Sequence, residues 1–206
     1  MIIIGFLIRV FLAIKTRFLK CFGLIYTKSM FRIYNVKYGE KLISNGFAII
    51  QNSKEGTIII GNDFSMNNGN SFNQIGNNQP CYIITNNKGK IIVGDNVGIS
   101  STAIISFDSI SIGNNVKVGG GTVIYDSDFH SLKQEERCVI PEVQINVNHK
   151  SVTIKSNVFI GANCMILKGV TIGEGSIIGA GSVVRESVPS NEIWAGNPAV
   201  FIKKIT

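Results

Sequence analysis

The chain has 206 residues, enough for one well-buried core and a short appendage. Its formal charge of +7 suits an anionic ligand or an anionic membrane face as readily as a plain solvated surface. With no nucleic-acid-binding motif in the chain, a nucleic-acid partner is not expected. Four scattered cysteines (Cys21, Cys81, Cys138, Cys164) form no C-x-x-C pair and no cluster with the two histidines, which argues against a disulfide scaffold and a zinc site and suits a reducing, cytoplasmic compartment.

Residues 1–40 read as an N-terminal helical segment, apolar from Met1 to Ala13 and broken there only by Arg9. Lys15, Arg17, Lys20, Lys28 and Arg32 follow. The apolar run is too short to cross a bilayer before charges begin, and no basic region precedes it as in a secretory leader. An amphipathic helix is expected, docked either on the inner membrane face through residues 1–32 or on the chain's own domain. Both readings stay open at this point.

Residues 41–206 form one domain, and an internal repeat sets its fold. A weak set of apolar residues six apart (Ile60, Met66, Phe72) comes first. Then Val93, Ile99 and Ile105 recur every six; the count slips by one and resumes at Ile112, Val118 and Ile124. After a gap it returns in phase at Ile154, Ile160, Ile166, Ile172, Ile178 and Val184. A small or β-branched residue stands four places after nearly every aliphatic one, Asp128 being the exception. A period of six fits neither a helix nor a hairpin. It fits a short strand and a corner, repeated so that three strands close a triangular coil of about eighteen residues, with coils stacking at the inter-strand spacing of about 4.8 Å. The 22 glycines, few prolines and many asparagines supply the corners. The fold class is therefore all-β, a triangular prism with an N-terminal helix, a C-terminal cap over 190–206 and a long loop extruded between coils.

That loop spans 125–152, where the repeat stops. A long insertion in a compact fold is usually functional. It carries His130, with Asp126 and Asp128 beside it. An imidazole with an ordinary pKa of about 6.5 can act as a base at neutral pH and is worth about 10² to 10⁴ in rate. Asp128 or Asp126 could fix its tautomer. His149, in a strand-like stretch, is assigned a structural place.

The segment Asp126-Ser127-Asp128-Phe129-His130-Ser131-Leu132, with Glu135-Glu136-Arg137 after it, resembles the catalytic loop of hexapeptide-repeat O-acetyltransferases. These include the galactoside, maltose and streptogramin acetyltransferases and those that decorate bacterial surface polysaccharides. The run from Val158 through Val184 and the ending Ala195-Gly196-Asn197-Pro198-Ala199 are similar to the acyl-CoA half of that family. The resemblance covers roughly residues 58–200 and implies a left-handed parallel β-helix. It also implies transfer of an acetyl group from acetyl-CoA to a hydroxyl of a sugar or polysaccharide precursor, with His130 as catalytic base and Asp128 beside it. Ser100, Asp108 and Asp126 become candidates to bind the acceptor, a small molecule or glycan. Gly161, Ala162, Gly179 and Ala180 become candidates for the pantetheine arm of CoA, and Arg185 and Lys203, with Lys204, for its phosphates. A homotrimer with sites between neighbouring prisms is implied too. An N-acetyltransferase acting on an amino sugar, or a non-catalytic β-helix that only binds sugar, remain the alternatives. A prism holding zinc on three histidines would need more than the two present.

Overall fold

The computed structural model describes residues 2–69, 71–73 and 75–205. After the helix α1 (Ile2–Ile33) the chain winds six coils of three short strands each. The first coil is β1 (Lys37–Tyr38), β2 (Ile43–Asn45) and β3 (Ile49–Gln51). The second is β4 (Thr57–Ile60), β5 (Ser65–Asn67) and β6 (Tyr82–Thr85). The third is β7 (Lys90–Val93), β8 (Gly98–Ser100) and β9 (Ala103–Ser106). The fourth is β10 (Ser109–Ile112), β11 (Lys117–Val118) and β12 (Val123–Tyr125). The fifth is β13 (Val152–Ile154), β14 (Phe159–Ile160) and β15 (Met165–Ile166). The sixth is β16 (Thr171–Ile172), β17 (Ile177–Ile178) and β18 (Val183–Val184).

Every third strand pairs in parallel with its predecessor, so the coils build three sheets: β1-β4-β7-β10-β13-β16, β2-β5-β8-β11-β14-β17, and β3-β6-β9-β12-β15-β18. A hairpin, β19 (Glu192–Gly196) and β20 (Ala199–Lys204), extends the second sheet, with β20 antiparallel to β19. The repeat's aliphatic residues stack in columns inside the prism. Ile60, Val93, Ile112, Ile154 and Ile172 line one sheet, and Met66, Ile99, Val118, Ile160 and Ile178 the next, all buried. Burying such a side chain contributes about 1.5–3 kcal/mol, and each column is buried only because its neighbours are present.

The corners explain the asparagines. Asn96, Asn115 and Asn157 occupy equivalent turns with φ of 55°, 58° and 62°, a left-handed conformation that asparagine tolerates better than most side chains. Their amides then bond to one another up the corner at 3.0 Å and finally to Glu174 at 3.1 Å.

Three expectations change. The N-terminal segment is not helical to residue 40: Asn35, at φ 53°, closes α1, and the first coil begins at Lys37. That coil keeps the six-residue spacing, Tyr38, Ser44 and Ile50 standing in register with Ile60, Met66 and Ile83, but only Ile50 is a buried aliphatic, which is why the count does not reveal it. Phe72 lies on an excursion, 68–81, rather than in a strand; the second coil's third strand is β6, with Ile83 inward. Ile105 points outward: Ile104 is fully buried and stands between Ile83 and Ile124 in the column. The corner at Ser101 (φ 43°) is one residue short and the turn at Phe107-Asp108 two residues long, which together give the slip of one in the count.

The C-terminal part of α1 docks on the first coil. A Cβ at Gly23 would fall 2.3 Å from the Gly46 carbonyl oxygen, so only glycine permits this approach. The Thr27 and Ser44 hydroxyls bond at 2.8 Å, and Phe31 is fully buried. Among the described residues, no helix is long and apolar enough to cross a membrane.

Candidate active site

The long loop leaves the prism after β12, at the corner between the third and first sheets, and returns at β13. A short antiparallel pairing closes its base. Asp128 N–H donates to the Asn148 carbonyl at 3.0 Å, Lys150 N–H donates to that of Asp126 at 2.8 Å, and Ser127 and His149 face each other. An aromatic knot supports it: Phe107 stacks on His149 with centroids 5.1 Å apart and meets Phe129 edge-on at 5.6 Å. His149 thus has the structural place expected of it. Phe129 sits at φ 63°, strained for a bulky side chain; a conformation of this kind persists only where its surroundings hold it. It delivers His130 to the outer surface, where that side chain is 65% exposed.

His130 Nδ1 lies 2.8 Å from Glu142 Oε2. Glu142 also accepts from the Ser131 N–H at 3.3 Å. The His130 hydrogen bond, with lesser help from Ser131 and Arg137, holds the Glu142 carboxyl below its ordinary range, so it is ionised at neutral pH. A carboxylate facing Nδ1 selects the tautomer protonated there and leaves the Nε2 lone pair outward. A short helix, α2 (Gln134–Arg137), braces the arrangement: Glu136 accepts from the Ser131 hydroxyl at 2.5 Å, and Arg137 donates to the Ser131 carbonyl at 2.7 Å. Glu142 was not singled out from sequence. Its one signal there is position, a carboxylate twelve residues after His130 in the same insertion.

The two aspartates beside His130 are turned elsewhere. Asp126 is fully buried and accepts from the Ser106 hydroxyl (2.7 Å) and the backbone N–H groups of Phe107 (2.7 Å) and Asp108 (3.0 Å). It clamps the extra turn that follows the third coil, with both carboxylate oxygens engaged there. Asp128 pairs with Lys168 at 3.2 Å through Oδ1, while its buried Oδ2 has no hydrogen-bond partner among the described residues. Around it Tyr125, Phe129, Leu167, Lys168 and Arg185 line a cavity of about 430 Å³. Asp108 accepts from the Ser151 hydroxyl at 2.6 Å.

The candidate residues therefore divide between two edges of the prism. Asp108, Asp128, His130 and Arg185 gather at the corner between the third and first sheets. Ser100, Gly161, Ala162, Gly179 and Ala180 lie at the corner between the second and third sheets, and the width of the third sheet separates the groups. At the second edge the glycines are there for packing: a Cβ on Gly161 would fall 2.5 Å from the Ala180 backbone nitrogen, and one on Gly179 2.8 Å from Ala195 Cβ. The Gly161 N–H and carbonyl are already engaged by Ile178 and Thr122. Ala180 is exposed and Ala162 half-exposed, which leaves them as the surface of that edge. Ser100 accepts from the Asn67 amide at 3.3 Å. Lys203 lies on β20, exposed. Among the described residues, no group of three or more His, Cys, Asp or Glu is placed to hold a metal ion.

Comparison with known proteins agrees with this architecture. Residues 151–186 match the family described as bacterial transferase hexapeptide (six repeats), and 90–126 match the hexapeptide repeat of succinyl-transferase. WbbJ of Escherichia coli (strain K12), named provisionally as a lipopolysaccharide biosynthesis O-acetyl transferase, is 33% identical over 150 residues, 70% of this chain and 74% of its own. The mitochondrial gamma carbonic anhydrase 2 of Arabidopsis thaliana is 33% identical over 128 residues, but this chain spans only 46% of its length. Among solved structures, a variant of AntD, an N-acyltransferase from Bacillus cereus in complex with dTDP and coenzyme A, superposes with a TM-score of 0.65 at 26% identity, covering 87% of this chain and 89% of its own.

Proposed function

The chain belongs to the hexapeptide-repeat acetyltransferases, left-handed parallel β-helices, and from that premise we propose that it transfers an acetyl group from acetyl-CoA to a hydroxyl of a sugar or surface-polysaccharide precursor, with His130 as base. The observation that carries this reading is the His130–Glu142 pair, an imidazole held by an ionised carboxylate on an exposed loop. A β-helix that only binds sugar has no use for it.

The thioester is already activated, so the protein must position it and accept one proton. His130 Nε2 takes the acceptor hydroxyl proton as that oxygen attacks the acetyl carbonyl carbon. Glu142 stabilises the imidazolium that results. The tetrahedral intermediate collapses, the C–S bond breaks, and the proton on Nε2 passes to the departing CoA thiolate. Base and acetyl ester end as they must, with no covalent enzyme intermediate.

The pantetheine arm would run along Ala162 and Ala180, where small side chains let it approach the backbone. Lys168 and Arg185 offer cations at the other edge, beside Asp128, and Lys203 stands on the capping hairpin. Because base and arm belong to different edges of one prism, the reading calls for neighbouring copies, one presenting the His130 edge to the other's alanine edge, as in a homotrimer. The similarity to an N-acyltransferase favours a second reading, in which the acceptor is an amino sugar and the same base serves.

A panel of free and nucleotide-linked sugars, hydroxyl against amino, incubated with acetyl-CoA and read as free thiol, separates the two. His130→Ala should lose at least about a hundredfold in transfer rate while keeping the wild-type melting temperature, since the side chain is exposed and outside the core. Near-wild-type turnover in the folded variant would remove His130 from the mechanism.

A further inference from the structure

Beyond its docked end, α1 has none of the described residues packed over it. Gly23, Thr27 and Phe31 form the stripe that meets the first coil. At 3.6 residues per turn, Leu7, Phe11, Ile14, Phe18 and Ile25 lie on the opposite side, and all are more than half exposed. Over residues 4–14 the exposed apolar side chains spread well beyond that side, Ile4, Phe6, Ile8 and Leu12 included, with Arg9 breaking the apolar surface in line with the docked stripe. A helix apolar over most of its circumference is ordinarily a buried helix, and none of the described residues covers this one.

Its charge says what does. Between Ile2 and Ile33 there are six cations (Arg9, Lys15, Arg17, Lys20, Lys28, Arg32) and no Asp or Glu. Six of the chain's seven net positive charges thus sit on this one element, and the remaining residues are nearly neutral in sum. At the foot of α1, Lys28, Arg32 and Lys37 line an open cleft together with Ile25 and Tyr38, cations beside an apolar wall.

We infer that α1 is a membrane-surface anchor that holds the base of the prism on an anionic lipid bilayer. The apolar side enters the headgroup–acyl boundary, the cations meet lipid phosphates, and the docked stripe transmits the attachment to the first coil. A second copy of α1 is the poorer occupant: packing two such helices brings six cations against six with no carboxylate on either to pair them. The inference stands apart from the acetyl-transfer reading, since none of these residues belongs to that site.

Flotation of the full chain with phosphatidylcholine vesicles, with and without about 30 mol% phosphatidylglycerol, tests it. Recovery with the anionic vesicles should exceed that with phosphatidylcholine by about tenfold or more and fall steeply between 0.1 and 1 M salt, as screening shortens from about 10 to about 3 Å. Lys15→Gln/Arg17→Gln/Lys28→Gln should erase the preference for anionic lipid, and Phe11→Ser/Phe18→Ser should reduce binding to both vesicle types, each with an unchanged melting temperature. Equal binding to both vesicles, or binding that survives both variants, overturns the inference. So does an absence of vesicle binding combined with a lower mass by light scattering for Phe11→Ser/Phe18→Ser, which would make the occupant a second copy.

Discussion

Replacing Gly161 with alanine puts a methyl carbon 2.5 Å from the backbone nitrogen of Ala180, 2.7 Å from its Cα and 3.0 Å from the Gly179 carbonyl carbon. All three are main-chain atoms of the next coil, so no side chain can swing aside and the coils must part locally. Overpacking of this kind costs about 1–3 kcal/mol. For a chain of this size that is a fall of about 2–12 °C in melting temperature. The change is confined to stability, because Gly161 is buried and its polar groups are already used. Ala180→Leu is the converse. That position is exposed, so the fold should barely notice, but the larger side chain fills the space proposed for the pantetheine arm. Its KM for acetyl-CoA should rise more than about tenfold, a loss of roughly 1.4 kcal/mol of binding, with the acceptor's KM unchanged. Calorimetry and steady-state kinetics on the two variants, at fixed protomer concentration, read both effects. A Gly161→Ala protein of wild-type stability with a raised KM, or an Ala180→Leu protein with normal KM, would refute this division between packing and binding.

Glu142→Gln should lower the transfer rate by at least about tenfold, because a base worth about 10² to 10⁴ loses its orienting charge. His130 is the largest cause holding the Glu142 carboxyl down. In the wild type that contact is therefore present above the ordinary carboxylate range and is lost as pH falls through the lowered value. An NMR titration of Glu142 should move upward in His130→Ala, and an unmoved value would mean the pair does not form. Ile104→Ala should cost about 2–5 kcal/mol and Ile105→Ala under about 1, so thermal melts that rank them the other way would restore the original phase of the repeat. Burial pushes the Cys81 thiol up to about 12 and raises that of Cys164, leaving both neutral and inert at pH 8. A native thiol titration should therefore find Cys21 and Cys138 alone, both exposed, and unfolding should release the other two.

The period of six was legible because one local rule, an inward aliphatic residue with a small residue before it, repeats where the coils are regular. From Val93 to Ile99 and from Ile112 onward the phase read from sequence agrees with the buried columns. It failed at Ile105, where a corner one residue short is followed by a turn two residues long, so that only the net slip of one shows in the sequence until Ile104 is seen between Ile83 and Ile124. It missed the first coil because Tyr38 and Ser44 stand at two of its three aliphatic positions and α1 packs on its base. The loop and His130 stood out as an interruption of a regular pattern. The partner of His130 did not, since Glu142 reaches it only after the chain has turned back through α2 and Pro141. Asp126 misled by proximity: next to the loop in sequence, it faces inward beneath the corner and spends its oxygens on Ser106, Phe107 and Asp108.

The antiparallel run of β20 along β19 has a consequence for what the molecule cannot become. A parallel coil is a template for another of the same spacing, and a prism open at its top would add coils from other molecules and grow into a fibre. In the second sheet β20 runs against the direction of every strand below it, so an arriving coil would meet that sheet with the wrong polarity. At the other end α1 lies along β2 and β3 of the first coil. The prism thus carries an unlike cap at each end, a reversed strand on one and a helix on the other, and neither offers a parallel coil a matching edge in the second sheet.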